Sequence, residues 1–116
     1  KAPMGSELFI RLGQQTFDCS LRYIAPSRAE VKTIASCGGA GAEFIPVAIA
    51  QGADVYITAD VKYHEMQSAC GQIGIIDLDH WTSEHFTREI FQELLHKQVT
   101  TYIATSDVTP VKWLIK

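Results

Sequence analysis

The chain has 116 residues, a formal net charge of −3, and 47% hydrophobic and 20% charged residues, which suits one globular domain. It has no lysine- and arginine-rich run, which argues against nucleic-acid binding through phosphate contacts. No apolar stretch approaches the ~20 residues of a membrane-spanning helix, so we expect no membrane partner. The sequence has no secretory apolar segment, and we take the cytoplasm as its default location. The three cysteines form no C-x-x-C pair and are expected to be free and buried in a reducing compartment.

The N-terminal third predicts short elements separated by glycine and proline. Ser6 could cap a short helix that ends at Gly13. Residues 21–24 and 31–37 have the apolar, β-branched character of strands. Residues 38–41, Gly-Gly-Ala-Gly, predict a tight turn into the next helix.

Strands and helices alternate through the middle of the chain. The predicted order is helix 42–51, strand 54–58, helix 61–70 and strand 74–78. Such alternation is typical of parallel strands joined by helical crossovers. We therefore predict a single α/β domain over residues 1–116, with a mixed, mostly parallel sheet and helices on both faces.

The C-terminal third predicts one long helix followed by two strands. Residues 82–97 should form the longest helix of the chain, with Phe86, Ile90 and Leu94 on its inner side. Residues 99–104 and 111–115 are the predicted closing strands.

His80 and Glu84 are the strongest candidate site residues. They stand four positions apart where the apolar strand 74–78 gives way to a helix, so their side chains should lie together at a strand end. Histidine nitrogen and carboxylate oxygen both suit zinc, manganese or iron. Two ligands do not complete a site, and a lone strand-end histidine is more often a hydrogen-bonded structural residue. Asp79 adds another acidic side chain beside His80.

Two further segments carry polar groups at strand ends. Asp60, Lys62 and His64 follow strand 54–58, where they could serve proton transfer or support a metal ligand, although Asp60 could equally be a helix cap. The glycines of segment 38–41 could hold a phosphate, but the spacing matches neither dinucleotide nor P-loop motifs, and the structural reading is favoured.

Taken together, three stretches resemble the NIF-three-like dinuclear metal centre family, whose members often carry the label GTP cyclohydrolase type 2 homologue. They are IASCGGAGAEFIPVAIAQGADVYITADVKYHE, IIDLDHWTSEHFTREIF and DVTPVKWLIK. The resemblance extends over nearly the whole chain. The order and spacing of the three stretches make it more specific than any single motif.

The resemblance implies a longer parent protein, in which two α/β halves face each other across two metal ions. This chain is similar to the C-terminal half, with His80 and Glu84 at that half's two ligand positions. Asp60, Lys62 and His64 match a T-G-D-x-K-x-H block near the site. The adjacent histidine pair of the N-terminal half has no counterpart here. The expected partners are therefore the missing N-terminal half, further copies of the protein in a ring-like oligomer, and a small-molecule substrate.

Three departures from the family pattern fall near these residues. Asp79 stands where a glycine usually precedes the ligand histidine, and it could crowd the site or add a ligand. Ala59 replaces the glycine of T-G-D, and Thr109 precedes Pro110 in place of asparagine.

The resemblance implies half of a dinuclear metal site in a metal-dependent hydrolase, with His80 and Glu84 as ligands and His64 or Asp60 as proton relay or supporting partner. The isolated chain is expected to bind metal weakly and to be inactive. The alternative is a non-enzymatic assembly or partner-binding domain whose metal is absent or structural.

Overall fold

The computed structural model describes residues 2–106, 108–112 and 114. The chain divides into two compact units, Lys1–Glu84 and His85–Lys116. The first unit contains every strand of the described residues, together with the candidate site, and the second contains one helix.

The elements run in the following order. They are β1 (Met4–Gly5), α1 (Ser6–Phe17), β2 (Arg22–Ile24), β3 (Glu30–Val31), β4 (Ile34–Ala40), a 3-10 turn (Ala42–Phe44), α2 (Ile45–Ala50), β5 (Val55–Ala59), α3 (Tyr63–Ala69), β6 (Gly74–Leu78), α4 (His80–Glu84) and α5 (Thr87–Leu95).

The main sheet has four strands in the order β2-β6-β5-β4. β4, β5 and β6 are parallel, whereas β2 is antiparallel to β6, and β1 and β3 form a separate antiparallel ribbon. Tyr56 lies opposite Ile75 and Ile57 opposite Ile76 in the parallel register. The prediction of a mixed, mostly parallel sheet is confirmed.

Helices cover both faces of this sheet, as predicted. On one face, Tyr56 and Ile75 belong to the same buried cluster as Ala48 of α2 and Ala69 of α3. On the opposite face, Ile76 belongs to a second buried cluster with Val55 and Leu78. Phe9, Ile10 and Phe17 of α1 pack against this cluster. β6 is buried along its whole length. Both faces of a central parallel strand need apolar cover, which explains the nearly continuous apolar run.

The first helix is longer than the sequence predicted. α1 continues past Gly13 to Phe17, and Gly5 rather than Ser6 is its N-cap. Ser6 instead donates a 2.6 Å hydrogen bond from Oγ to the carbonyl of Arg28. A Cβ at Gly13 would lie 3.6 Å from Ile76 Cδ1, so this glycine faces the sheet inside the helix. The apolar contact of Phe17 with the core favours the additional turn.

The glycine segment was predicted as a turn, and this is wrong for its first three residues, which belong to β4. The register between β4 and β5 shifts between Ser36 and Ala40, which pair with Ile57 and Ala59 respectively. The extra residues form an irregularity that includes Gly39, whose φ is +66°. Glycine adopts this left-handed backbone conformation without a Cβ penalty.

The predicted long helix 82–97 is two helices, α4 and α5, separated by a turn at residues 85–86. Phe86, Ile90 and Leu94 are exposed, contrary to the prediction that they face inward. Residues 99–104 form no strand, and the predicted strand 111–115 is absent at 111, 112 and 114, with its other two positions outside the described residues. None of the three free cysteines is fully buried, and Cys70 is exposed. Nowhere in the described chain does a helix combine the length and apolar character that a bilayer span requires.

Candidate functional site

The candidate site lies where β5 and β6 end. Asp60 follows the last residue of β5, and His80 and Glu84 are the first and last residues of α4, which begins two residues after β6. Because adjacent parallel strands present their carboxyl ends at the same edge of a sheet, side chains from both connections meet there. The structure therefore brings together three of the four site residues predicted from the sequence.

His80 lies between the two carboxylates. Its Nδ1 is 2.6 Å from Oδ2 of Asp60 and its Nε2 is 3.2 Å from Oε2 of Glu84. All three side chains are about half exposed. The hydrogen bond to Asp60, assisted by the charge of Glu84, raises the pKa of His80 above its ordinary value of about 6.5. The arrangement favours either a protonated imidazole or another cation between these carboxylates.

The donor set fits part of a divalent metal site. A histidine that donates one ring N–H to a carboxylate keeps its other nitrogen as a metal ligand in a fixed orientation. His80 Nε2 and Glu84 Oε2 are 3.2 Å apart, close enough that both atoms could hold one divalent ion. Among the residues that the structure describes, no group of three or more His, Cys, Asp or Glu side chains is placed to hold a metal. The described chain thus supplies two suitable donors.

The backbone of Gly39 holds α4, the helix that carries His80 and Glu84, against the sheet. Its N–H donates to Ser83 Oγ at 2.9 Å, and Ser83 Oγ donates to the carbonyl of His80 at 2.8 Å. The carbonyl of Gly39 accepts a hydrogen bond from Thr58 Oγ1 at 3.0 Å. A Cβ at position 39 would lie 2.1 Å from Oε1 of Glu84. Gly39 is therefore occupied in positioning α4, and its N–H is not a free phosphate donor.

Asp79, one of the three departures from the family pattern, caps α4. Its carboxylate accepts the backbone N–H of Thr82 at 3.3 Å and the Thr82 hydroxyl, and its carbonyl accepts the N–H of Ser83 at 3.0 Å. An acidic residue at this position satisfies N–H groups that a helix leaves without internal partners. Its two carboxylate oxygens bond to Thr82, so the structure offers a capping reason for Asp79.

His64 is the predicted site residue that the structure does not bring to this cluster. It lies in the first turn of α3, where its ring meets that of Tyr63 edge to face at a centroid distance of 5.4 Å. It also lines a cleft of about 490 Å³ beside α2. Among the described residues, no hydrogen bond or ion pair joins His64 to His80, Asp60 or Glu84. Lys62 donates its backbone N–H to Glu65 Oε2 at 2.7 Å.

The sequence did not predict two groups that support the site, Ser83 and Asp77. Ser83 accepts a hydrogen bond from Gly39, which is 44 positions away in the chain, and no sequence motif predicts this contact. Asp77 accepts the backbone N–H of Val61, the residue after Asp60, at 3.2 Å. It is an acidic residue inside the apolar strand β6, and this was the signal that the sequence offered.

These observations define an α/β protein with a histidine held between two carboxylates at the carboxyl edge of a mainly parallel sheet. The chain belongs to the DUF34/NIF3 family, because the family model described as Duf34/NIF3 (NGG1p interacting factor 3) matches residues 1–111. The resemblance drawn from the sequence is thereby confirmed.

Individual relatives agree with this assignment. A Staphylococcus aureus (strain MSSA476) protein named GTP cyclohydrolase 1 type 2 homolog is 33% identical over 90 residues, which are 77% of this chain and 24% of that protein. The crystal structure of the Staphylococcus aureus hypothetical protein SA1388 has a TM-score of 0.86 at 25% identity, over 98% of this chain and 41% of that one. A Bacillus cereus protein related to NIF3 has a TM-score of 0.75 at 25% identity, over 100% and 34% respectively. The chain spans about a quarter of the length of the curated relative.

Proposed function

We propose that this chain contributes His80 and Glu84 to a divalent metal site in a metal-dependent hydrolase that acts on a small molecule. Zinc, manganese or iron would suit the donors, since each accepts both imidazole and carboxylate. The remaining ligands would come from a further α/β half of the same protein. The short share of its relatives that the chain covers supports a larger functional unit.

The observation that carries the proposal is the contact geometry of His80. Its Nε2 faces Glu84 Oε2 at 3.2 Å while its Nδ1 is engaged by Asp60 at 2.6 Å. A carboxylate on one ring nitrogen is typical of a metal-ligating histidine, because it fixes the tautomer and leaves the other nitrogen for the ion. In this chain that second nitrogen faces a further oxygen donor, Glu84.

Each residue would have a separate part in the chemistry. His80 Nε2 and Glu84 would hold the ion, which when bound supplies Lewis-acid activation of water for hydrolysis. Asp60 would keep the proton of His80 on Nδ1, so that Nε2 presents its lone pair. His64 as a proton relay stays a prediction, because the bonds of the described residues do not connect it to the cluster.

The test is metal affinity measured by calorimetry and elemental analysis, with zinc, manganese and ferrous iron. We expect weak binding by the chain alone and tight binding by the parent protein that contains both halves. In the parent, His80→Ala and Glu84→Gln should each weaken binding at least ten-fold, whereas Asp60→Asn should weaken it less.

The matched control is His96→Ala. The ring of His96 bonds at Nδ1 to the carbonyl of Glu93 at 2.7 Å, so it is an exposed histidine with a purely local partner. Its replacement should leave metal affinity unchanged. Equal affinities for wild type, His80→Ala and Glu84→Gln would sink the metal proposal.

A second candidate function is a non-enzymatic assembly domain, which the second unit favours. Ile90, Phe91 and Leu94 of α5 are each more than half exposed in this unit. Exposed apolar clusters of this kind often mark protein interfaces. We propose a further copy of the protein as the occupant.

Light scattering should then give an oligomer that Leu94→Glu dissociates and Gln98→Glu, on the same unit, does not. A monomer at high concentration would rule this function out.

A further inference from the structure

We propose that the ion pair of Arg22 and Asp77 is a positioning device, which clamps the peptide units around Val61 and thereby fixes Asp60 against the ring of His80. The proposal rests on the proposed metal role of His80 for its significance, although its test does not require a metal.

Asp77 is a buried carboxylate in the centre of the fold. Its side chain is 3% exposed, and it lies directly opposite Arg22 in the register of β6 and β2. One carboxylate oxygen pairs with the Arg22 guanidinium and the other accepts the N–H of Val61 at 3.2 Å. A buried charge requires such partners, since an unpaired carboxylate is costly to remove from water.

Arg22 completes the clamp from the other side of the same residue. The Nη2 that pairs with Asp77 also donates to the carbonyl of Val61 at 2.9 Å. The N–H and the C=O of Val61 are therefore both held by one ion pair. Val61 itself is almost fully buried, so its two backbone groups would otherwise lack the water that satisfies exposed ones.

The residue immediately before the clamp needs this restraint. Asp60 has a φ of +57°, a left-handed conformation that a non-glycine residue adopts at a cost unless its surroundings hold it. Its exposed side chain forms the 2.6 Å contact with His80 Nδ1. Loss of the clamp would let the Asp60 backbone relax, and the carboxylate would then move away from the imidazole.

The same fold contains a matched control, the ion pair of Arg28 and Asp54. Asp54 is also 3% exposed at its side chain, and its arginine is 74% exposed, compared with 64% for Arg22. Asp54 accepts the N–H groups of Lys32 and Thr33, each at 2.9 Å. It precedes β5, at the opposite edge of the sheet from the site. Replacing either arginine removes a similar interaction, but only one lies beside Asp60.

The experiment compares Arg22→Met with Arg28→Met in the 116-residue chain. The readout is the tautomer of neutral His80, from two-bond nitrogen–proton couplings at about pH 9, where an ordinary imidazole is uncharged. We expect the Nδ1–H form to dominate in wild type and in Arg28→Met. In Arg22→Met the ratio of Nδ1–H to Nε2–H should fall at least three-fold, with a smaller fall in Arg22→Lys, which keeps a donor to Asp77.

Both methionine variants should lower the denaturation midpoint, so stability alone does not separate the two roles. An unchanged tautomer ratio in folded Arg22→Met would overturn the proposal. If that variant does not fold, Asp77→Asn replaces it with the same expectation, because the amide keeps an acceptor for Val61 but loses the ion pair. If the tautomer ratio shifts in Arg22→Met but the parent protein binds no metal, the clamp stands and the metal function fails. The two proposals can therefore fail separately.

Discussion

The imidazole of His80 and the carboxylate of Asp60, 20 positions apart in the chain, are joined by a 2.6 Å contact between Nδ1 and Oδ2. This contact links the connection after β5 to the helix after β6. It orients the ring and leaves Nε2 directed at Glu84. We expect this relationship to determine how the site responds to protons, to metals and to changes in the backbone beside it.

The first prediction concerns the pH dependence of stability. The pKa of His80 is higher in the folded state than in the unfolded state. The stability that protonated His80 contributes is therefore fully present below its unfolded-state pKa and is lost as pH rises through its folded-state pKa. We expect the denaturation midpoint of wild type to fall from about pH 6 upward relative to that of Asp60→Asn. The groups are half exposed, so the effect should stay below about 1 kcal/mol. Parallel wild-type and Asp60→Asn curves would contradict the assignment.

The second prediction concerns metal binding at different pH values. A protonated imidazole has no free lone pair, so a proton and a metal compete for His80. Since the pKa of His80 is raised, zinc affinity in the parent protein should continue to increase with pH above the range of an ordinary histidine. Calorimetry in buffers of different ionisation enthalpy should show proton release on binding. The Asp60→Asn variant should reach its full affinity at a lower pH.

The third prediction uses two glycines with similar backbones. Gly39 and Gly52 have φ values of +66° and +74°, but a Cβ would contact Glu84 Oε1 at 2.1 Å in the first and nothing within 4 Å in the second. Gly52→Ala should cost about 1–2 kcal/mol of unfolding free energy from backbone strain alone. Gly39→Ala should cost more and should also weaken metal binding, because Glu84 must move. Equal losses of stability, with metal affinity intact, would show that position 39 does not position Glu84.

The fourth prediction concerns acid denaturation. Hydrogen bonds from the backbone N–H groups of Thr33 and Lys32, together with Arg28, lower the pKa of Asp54. The stability that this carboxylate contributes is present above its unfolded pKa, about 3.9, and is lost as pH falls through the lower folded value. Asp54→Asn should therefore be less stable than wild type at pH 6, with the difference shrinking below about pH 4. Urea denaturation at several pH values measures this difference, and a constant gap down to pH 2 would refute the assignment.

Local sequence was sufficient for the central elements. The residues of β6 coincide with the predicted strand 74–78, because a short apolar run that must be buried on both faces has few alternatives. The pairing of His80 with Glu84 also followed from spacing, since residues four apart in a helix lie on one face. The prediction of helix 82–97 failed, because periodicity extends across the turn at 85–86 and does not reveal a break.

By itself the sequence determined the family, the alternation of strands and helices, and the pairing of His80 with Glu84, all of which depend on neighbours in the chain or on the order of motifs. Only the tertiary structure decided what surrounds these two side chains. Asp60 reaches His80 from a different strand end, and Gly39 belongs to a strand that packs beneath α4. Arg22 and Asp77 meet across 55 positions of sequence. Such contacts arise from strand register and chain crossover, which no local pattern of residue types records.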